Sequence, residues 1–168
     1  MRERGFTLIE MLIVIAIMGI LLAIATLQFN QYTIKANIEK QVRTMYADLM
    51  KARSEALLQK DPRSVTVAAA QYSVYPSFDG TGAFLQQTRF AYPATWDANN
   101  GNTFSFNSRG AACIYDPATS VCVPGYEKMI CVRPAGNPAA IDSILITSTG
   151  IQMGKSSGSC DSDHFTAK

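Results

Sequence analysis

Gly5-Phe6-Thr7-Leu8-Ile9-Glu10, running straight into the apolar stretch 11–27, decides how this chain is read. Residues 6–27 contain no proline, one glycine (Gly19) and one charged residue, Glu10. As a helix they are long enough to cross the ~30 Å hydrocarbon core of a bilayer. In front of them stands Met-Arg-Glu-Arg-Gly, a short basic stub. Such a stub stays cytoplasmic, which sends the chain beyond the apolar helix outward. A charged group in an apolar helix costs about 2.5–3.5 kcal/mol at the helix centre and less near an end. A disposable secretory signal has no use for that cost. A retained helix offsets it when the carboxylate meets a cation in an assembly. The competing reading is a signal cleaved after the apolar run, and Ala23-Ile24-Ala25 offers small residues at the required spacing. The segment that follows counts against it.

Between Ile20 and Lys60 there is neither proline nor glycine. Beyond Gln28 the apolar residues become one-sided. Ile34, Ile38, Val42, Met45, Leu49, Ala52 and Ala56 recur at spacings of three and four, which places them on one face of a helix. Lys35, Glu39, Lys40, Arg43, Asp48, Lys51 and Glu55 lie mainly off that face, and Asp61-Pro62 is the expected stop. The apolar and amphipathic halves thus read as one rod. After Pro62 the texture turns to short strands, expected over 64–67, 72–75, 87–92, 103–106, 112–115, 128–132 and 143–147, with Gly and Asn clusters between them. The expected fold is α+β: a long N-terminal helix, membrane-spanning in its first half, packed against a C-terminal antiparallel β-sheet domain. The expected divisions are 1–5, 6–27, 28–60 and 61–168, with a polar tail from residue 154.

Hydrophobic residues make up 48% of the 168-residue chain and charged residues 17%, the apolar excess being concentrated in 6–27. The net charge of +2 is also uneven. Residues 1–60 carry eight Lys or Arg against five Asp or Glu, which leaves seven against eight, or −1, for residues 61–168. That balance weighs against a dedicated nucleic-acid binder, although Arg89, Arg109, Arg133 and Lys155 are available for a local patch. Cys113, Cys122, Cys131 and Cys160 have no C-x-x-C spacing, and His164 is the sole histidine, so no metal site is expected. Behind a membrane segment, an even cysteine count indicates two disulfides in an oxidising compartment. Cys113–Cys122 would close a short loop and Cys131–Cys160 would tether the tail. Cys113 facing Cys131 on adjacent strands is the alternative. With no Gly-rich phosphate loop and no G-x-S-x-G, catalytic residues and cofactors are not expected, which disfavours a secreted enzyme.

Gly5-Phe6-Thr7-Leu8-Ile9-Glu10 with its apolar continuation resembles the prepilin signal of type IV pilins and type II secretion pseudopilins. The resemblance implies cleavage after Gly5 by a prepilin peptidase and N-methylation of Phe6. It also implies an assembly role for Glu10 beside the N-terminal amine of a neighbouring subunit. Three further stretches, 49–56, 104–110 and 144–150, resemble the minor pilins and pseudopilins of the GspH/FimT type. In that family they serve the β-rich domain and carry no catalysis. Arg53 and Glu55, inside the first of them, read equally well as solvated helix charges. The implied partners are other pilin or pseudopilin subunits and an inner-membrane assembly platform. The implied location is the inner membrane, single-pass with a periplasmic C-terminal domain, and after assembly the filament. The expected function is a minor pilin or pseudopilin that helps prime or cap a type IV pilus. A type II secretion pseudopilus tip and a DNA-binding pilus tip are the alternatives. The chain departs from many major pilins in having no proline in the apolar helix.

Overall fold

The computed structural model describes residues 6–97, 101–116, 121–123, 127–132 and 137–168. One helix, α1 (Leu8–Gln59), contains 52 residues, about 80 Å at 1.5 Å per residue. Thr7 starts it: its extended backbone and side-chain oxygen make an N-cap that accepts from Glu10 N. No residue inside it forces a break. It ends at Lys60, whose left-handed backbone (φ 59°) turns the chain out of the helix, and Pro62 then prevents a restart.

The two halves of α1 have different surroundings. Ile38, Val42, Met45, Leu49, Ala52 and Ala56 are all buried, and Ile34 packs partly against them. This is the stripe expected from the spacing of three and four. Before Ile34 the apolar side chains described, such as Leu12, Ile15, Leu22 and Phe29, face outward, and the most apolar 18-residue stretch of the helix has a mean hydropathy of 2.9.

The β-region forms two antiparallel sheets. The first has the strand order β3-β2-β1-β5-β6-β7, built from Gln86–Arg89, Gln71–Tyr75, Arg63–Ala68, Thr103–Phe106, Ala112–Asp116 and Val121–Val123. The second has the order β11-β10-β9-β8-β4, built from Phe165–Ala167, Ile151–Ser156, Ser143–Thr147, Glu127–Val132 and Ala94–Trp96. The helix lies on β1 and β5 of the first sheet and on β9 and β10 of the second. Val65, Val67, Phe104 and Phe106 from one side and Ile130, Val132, Ile144 and Ile146 from the other close the core over it. Alternation explains the strand sequences where one face is solvated. β8 departs from alternation because every residue from Lys128 to Val132 is buried.

Four strands fall outside the sequence expectation: β4, β7, β10 and β11. β4 and β7 have three residues each, too few for a period of two to show, and prolines at 93, 117 and 124 flank them. The stretch expected to be a polar tail belongs to the sheet. Gly154 makes this feasible, since a Cβ there would lie 2.3 Å from Thr166 O and 2.5 Å from the Phe165 ring. The expected strand 87–92 is shorter and one residue earlier, as β3. Phe90 N still donates to Ala70 O at 2.8 Å, while Ala91 and Tyr92 are taken by a helix side chain.

Cys131 of β8 is bonded to Cys160, with Cα atoms 6.0 Å apart. The bond holds the chain after β10 against the outer face of β8. Cys113 is also disulfide-bonded, while the Cys122 side chain lies outside the described residues. The alternative of Cys113 facing Cys131 does not hold: β6 and β8 belong to different sheets, and Cys131 is engaged by Cys160.

Candidate assembly helix and its anchorage

The first turn of α1 combines an apolar surface with one acid. Phe6 is 73% exposed, and Leu8, Ile9, Met11 and Leu12 are exposed with it. Thr7 Oγ1 accepts from Glu10 N at 3.3 Å, and Thr7 O accepts from Met11 N. Thr7-Leu8-Ile9-Glu10 is therefore a T-x-x-E capping pattern, with Glu10 as the first-turn acid that a helix dipole favours. The sequence reading assigned Glu10 to assembly and overlooked this local role, although the pattern was legible. Among the described residues Glu10 has no ion-pair partner. Gly5 lies outside them. Gly19 leaves open space beside the helix, with nothing within 4 Å of where a Cβ would stand.

The second half of the helix is fixed to the loops by polar side chains. Gln41 Oε1 accepts from Ala91 N at 2.9 Å and Tyr92 N at 3.0 Å, and its Nε2 donates to Tyr92 O at 2.8 Å. Glu39 Oε1 accepts from Ala140 N at 3.0 Å. Tyr72 OH and Gln86 Nε2 both donate to Asp48 Oδ2. Burial first and Asp48 second push the Tyr72 hydroxyl well above the ordinary phenol range.

Arg53 does most at the far end. Its Nε donates to Gly110 O and its Nη2 to Thr149 O, each at 2.8 Å. Those carbonyls belong to the turns that end the two family-like stretches. In the first, Asn107 Oδ1 accepts from Arg109 N and Ala111 N. Gly110 there has φ +71°, and a Cβ would lie 2.8 Å from Leu57 Cδ1. In the second, Thr147 Oγ1 accepts from Gly150 N at 3.0 Å. Ala112 N donates to Ser148 O, joining the turns directly. Arg53, read from sequence as either a motif residue or a solvated charge, is thus a positional pin between helix and both sheets.

Two further ionisable clusters occur in the sheets. Lys128 is fully buried and its Nζ donates to Gly101 O. Burial pushes its ammonium pKa down to about 8, with Asp97 opposing the shift. Asp142 is buried and satisfied by Lys155 Nζ at 3.0 Å, Asn137 Nδ2 at 2.7 Å and Ser156 N at 2.9 Å. In the C-terminal segment, hydrogen bonds from Ser159 and then His164 hold the Asp161 carboxyl below its usual range. Ser159 and Asp161 both meet Nδ1 of His164. A nucleophile triad needs the two ring nitrogens to serve different partners, so this trio lacks that geometry. Of the cations considered for a nucleic-acid patch, Arg89 stands on β3 and Lys155 on β10 of the other sheet, with Lys155 committed to Asp142. Arg109 is at an exposed turn, and Arg133 lies outside the described residues. No group of three or more His, Cys, Asp or Glu suited to a metal occurs among the described residues.

A bare apolar half-helix continuing into a half covered by antiparallel sheets defines a pilin-like α+β protein. Comparison with known proteins agrees. The prokaryotic N-terminal methylation motif matches residues 1–26, and the family described as type II transport protein GspH matches residues 41–150. The chain belongs to that GspH family. A fimbrial protein of Pseudomonas aeruginosa is 40% identical over 73 residues, 43% of this chain and 47% of that protein. A type IV major pilin protein, PilE1 of Neisseria gonorrhoeae, is 48% identical over 40 residues, 24% of each chain. The match thus spans about half the length, or less, of these curated relatives. In fold, the chain is similar to the type IV minor pilin FimU of Pseudomonas aeruginosa. The TM-score is 0.58 and the identity 20%, over 77% of this chain and 99% of that one.

Proposed function

We propose that this chain is a minor pilin, a structural subunit that helps prime or cap assembly of a type IV pilus. One observation carries the reading. The exposed apolar half of α1, headed by Phe6 and Glu10, continues without a break into a half sealed to both sheets. An apolar helix surface this long needs lipid or other helices around it. The names of the relatives, fimbrial proteins and a minor pilin, support a pilus. In this reading a prepilin peptidase removes residues 1–5 and Phe6 becomes N-methylated. The subunit waits in the inner membrane with its sheets in the periplasm. An assembly platform then moves it into a filament of other pilin subunits. Glu10 meets the N-terminal amine of a neighbour there, so that each charge reduces the other's burial cost. The chain's work is mechanical rather than catalytic.

Mass spectrometry of the chain recovered from sheared filaments tests the proposal. The expected mature N-terminus is N-methylated Phe6. A mature chain starting at Thr26, or one absent from the filament fraction, overturns it. A second reading, the tip of a type II secretion pseudopilus, is favoured by the GspH match. Loss of protein secretion without loss of surface pili, on deleting the gene, would decide for it.

A further inference from the structure

The first sheet ends on β3, and its outer edge is unpaired among the described residues. Phe90 N donates to Ala70 O, so residues 86, 88 and 90 direct their backbone polar groups toward β2. Antiparallel alternation then turns the N–H and C=O of Gln87 and Arg89 outward. An open edge of this kind is a template for another strand unless something blunts it. β4 is partly covered, because Ala94 N donates across to Ala69 O. β3 reads Gln-Gln-Thr-Arg, with no proline and no lysine.

Two hollows lie between this region of the sheet and α1. The first, about 210 Å³, has Asn37, Lys40 and Gln41 on the helix side and Thr88 and Arg89 on the strand side. The second, about 340 Å³, lies further along the helix, beside Leu85 and Gln86. The Tyr72–Asp48–Gln86 hydrogen bonds join the wall of one to that of the other. Together they follow the helix from Asn37 to Gln59, about 33 Å at 1.5 Å per residue.

Their charges differ. In the second hollow Glu55 is paired with Arg63 and Lys51, and Asp48 is hydrogen-bonded. No acid lines the first hollow. Lys40 supplies its cation from the helix wall, whereas Gln86 and Thr88 face the helix, so alternation turns the Arg89 side chain to the other face of the sheet. Both cations are exposed, and neither has an ion-pair partner among the described residues.

We propose that this edge receives an extended segment of a neighbouring pilin-like subunit as an added strand. Its main chain pairs with Gln87 and Arg89, alternate side chains enter the hollows, and an Asp or Glu among them sits against Lys40. The inference rests on the subunit reading above and adds a specific contact to it, away from the apolar helix.

The test uses the full-length chain in its own cells, with a photo-crosslinking benzoylphenylalanine at Asn37. After illumination the filaments are sheared and the adducts mapped by mass spectrometry. The expected adduct is to an acidic extended segment of another pilin-like subunit, falling at least tenfold with Gln87→Pro and with Lys40→Glu. Gln87→Pro removes an outward N–H that the β2 ladder does not use. Unchanged resistance of the first sheet to limited proteolysis checks its fold, and Lys40→Glu decides alone where the fold is lost. An adduct unchanged by Lys40→Glu, or one to nucleic acid or lipid, overturns the proposal. Filaments that contain the chain but yield no adduct overturn it while leaving the subunit reading intact. Absence of the chain from filaments refutes that reading, and this one with it.

Discussion

Arg53 Nε donates to the carbonyl of Gly110 at 2.8 Å, so a helix residue holds a turn 57 positions away in sequence. The same guanidinium reaches Thr149 O. Hydrogen bonds from a charged donor contribute about 1.5–3 kcal/mol when buried and less when partly exposed. Arg53→Ala is expected to destabilise the domain by about 2 kcal/mol, with Arg53→Lys recovering only part because an ammonium lacks the planar fork. Urea unfolding of the three proteins checks this. An unchanged midpoint in Arg53→Ala would return Arg53 to the status of a solvated charge.

Glu10→Ala should leave membrane insertion intact, since it removes a charge from an apolar helix. It should sharply reduce incorporation into filaments, read by immunoblotting the sheared fraction against total membranes. Glu10→Gln separates the two roles of the residue. It removes the charge but keeps a side chain suited to the Thr7 capping pattern, so it is expected to behave like Glu10→Ala. Wild-type incorporation of Glu10→Gln would mean that the cap, not the charge, matters.

A fragment of residues 32–168 should be folded, soluble and monomeric. Packing against the sheets starts at Ile34, and the exposed apolar stretch before Phe29 is gone. Sedimentation and circular dichroism settle the point. Its near-neutral charge also predicts weak duplex-DNA binding at physiological salt, no tighter than the ~10⁻⁴–10⁻⁶ M of ordinary electrostatic association.

Lys128 predicts a pH dependence of unusual sign. Its folded pKa, about 8, lies below the unfolded value of 10.5. Between these values the unfolded chain binds more protons, so stability rises with pH. Below about pH 8 the cost of burying the ammonium is fully present, at most about 3.4 kcal/mol at 1.36 kcal/mol per unit and less where solvent screens it. In the 32–168 fragment, the urea midpoint should increase from pH 7.5 to 9.5, and Lys128→Met should flatten that increase. A wild-type midpoint that stays level or falls over this range would show that burial does not depress the Lys128 ammonium.

Cys160→Ser should release the C-terminal segment from β8. The stabilisation lost is about 3.6 kcal/mol for a sequence separation of 29. Limited proteolysis should then cut within residues 157–168 at protease levels that spare the wild type. Equal resistance of both proteins would show that the β10–β11 pairing holds the segment unaided.

The helix was legible because its two signals are long: an unbroken apolar run and six further turns of one-sided spacing. The face from Ile34 to Ala56 could be named residue by residue. The short strands were harder. Val121–Val123 and Ala94–Trp96 are defined by their pairing partners rather than by their own three residues. β10 and β11 look polar because three of the six residues of β10 and none of β11 are buried. Of the candidate site, Gly5, Phe6 and Glu10 stood out through a motif. Arg53 and Gln41 did not, because a side chain that bonds a distant backbone leaves no periodic trace in its own helix. The Thr7–Glu10 cap was visible but eclipsed by the stronger apolar signal.

Gln41 and Arg53 are twelve residues apart on one helix, about 18 Å along its axis, and each grips backbone from a different part of the domain. Tension applied through the bare end of the helix therefore does not peel the sheets away one contact at a time. It reaches both grips together, in shear, with the packed stripe from Ile38 to Ala56 sharing the load between them. A domain fastened this way can be dragged by its helix while keeping its shape.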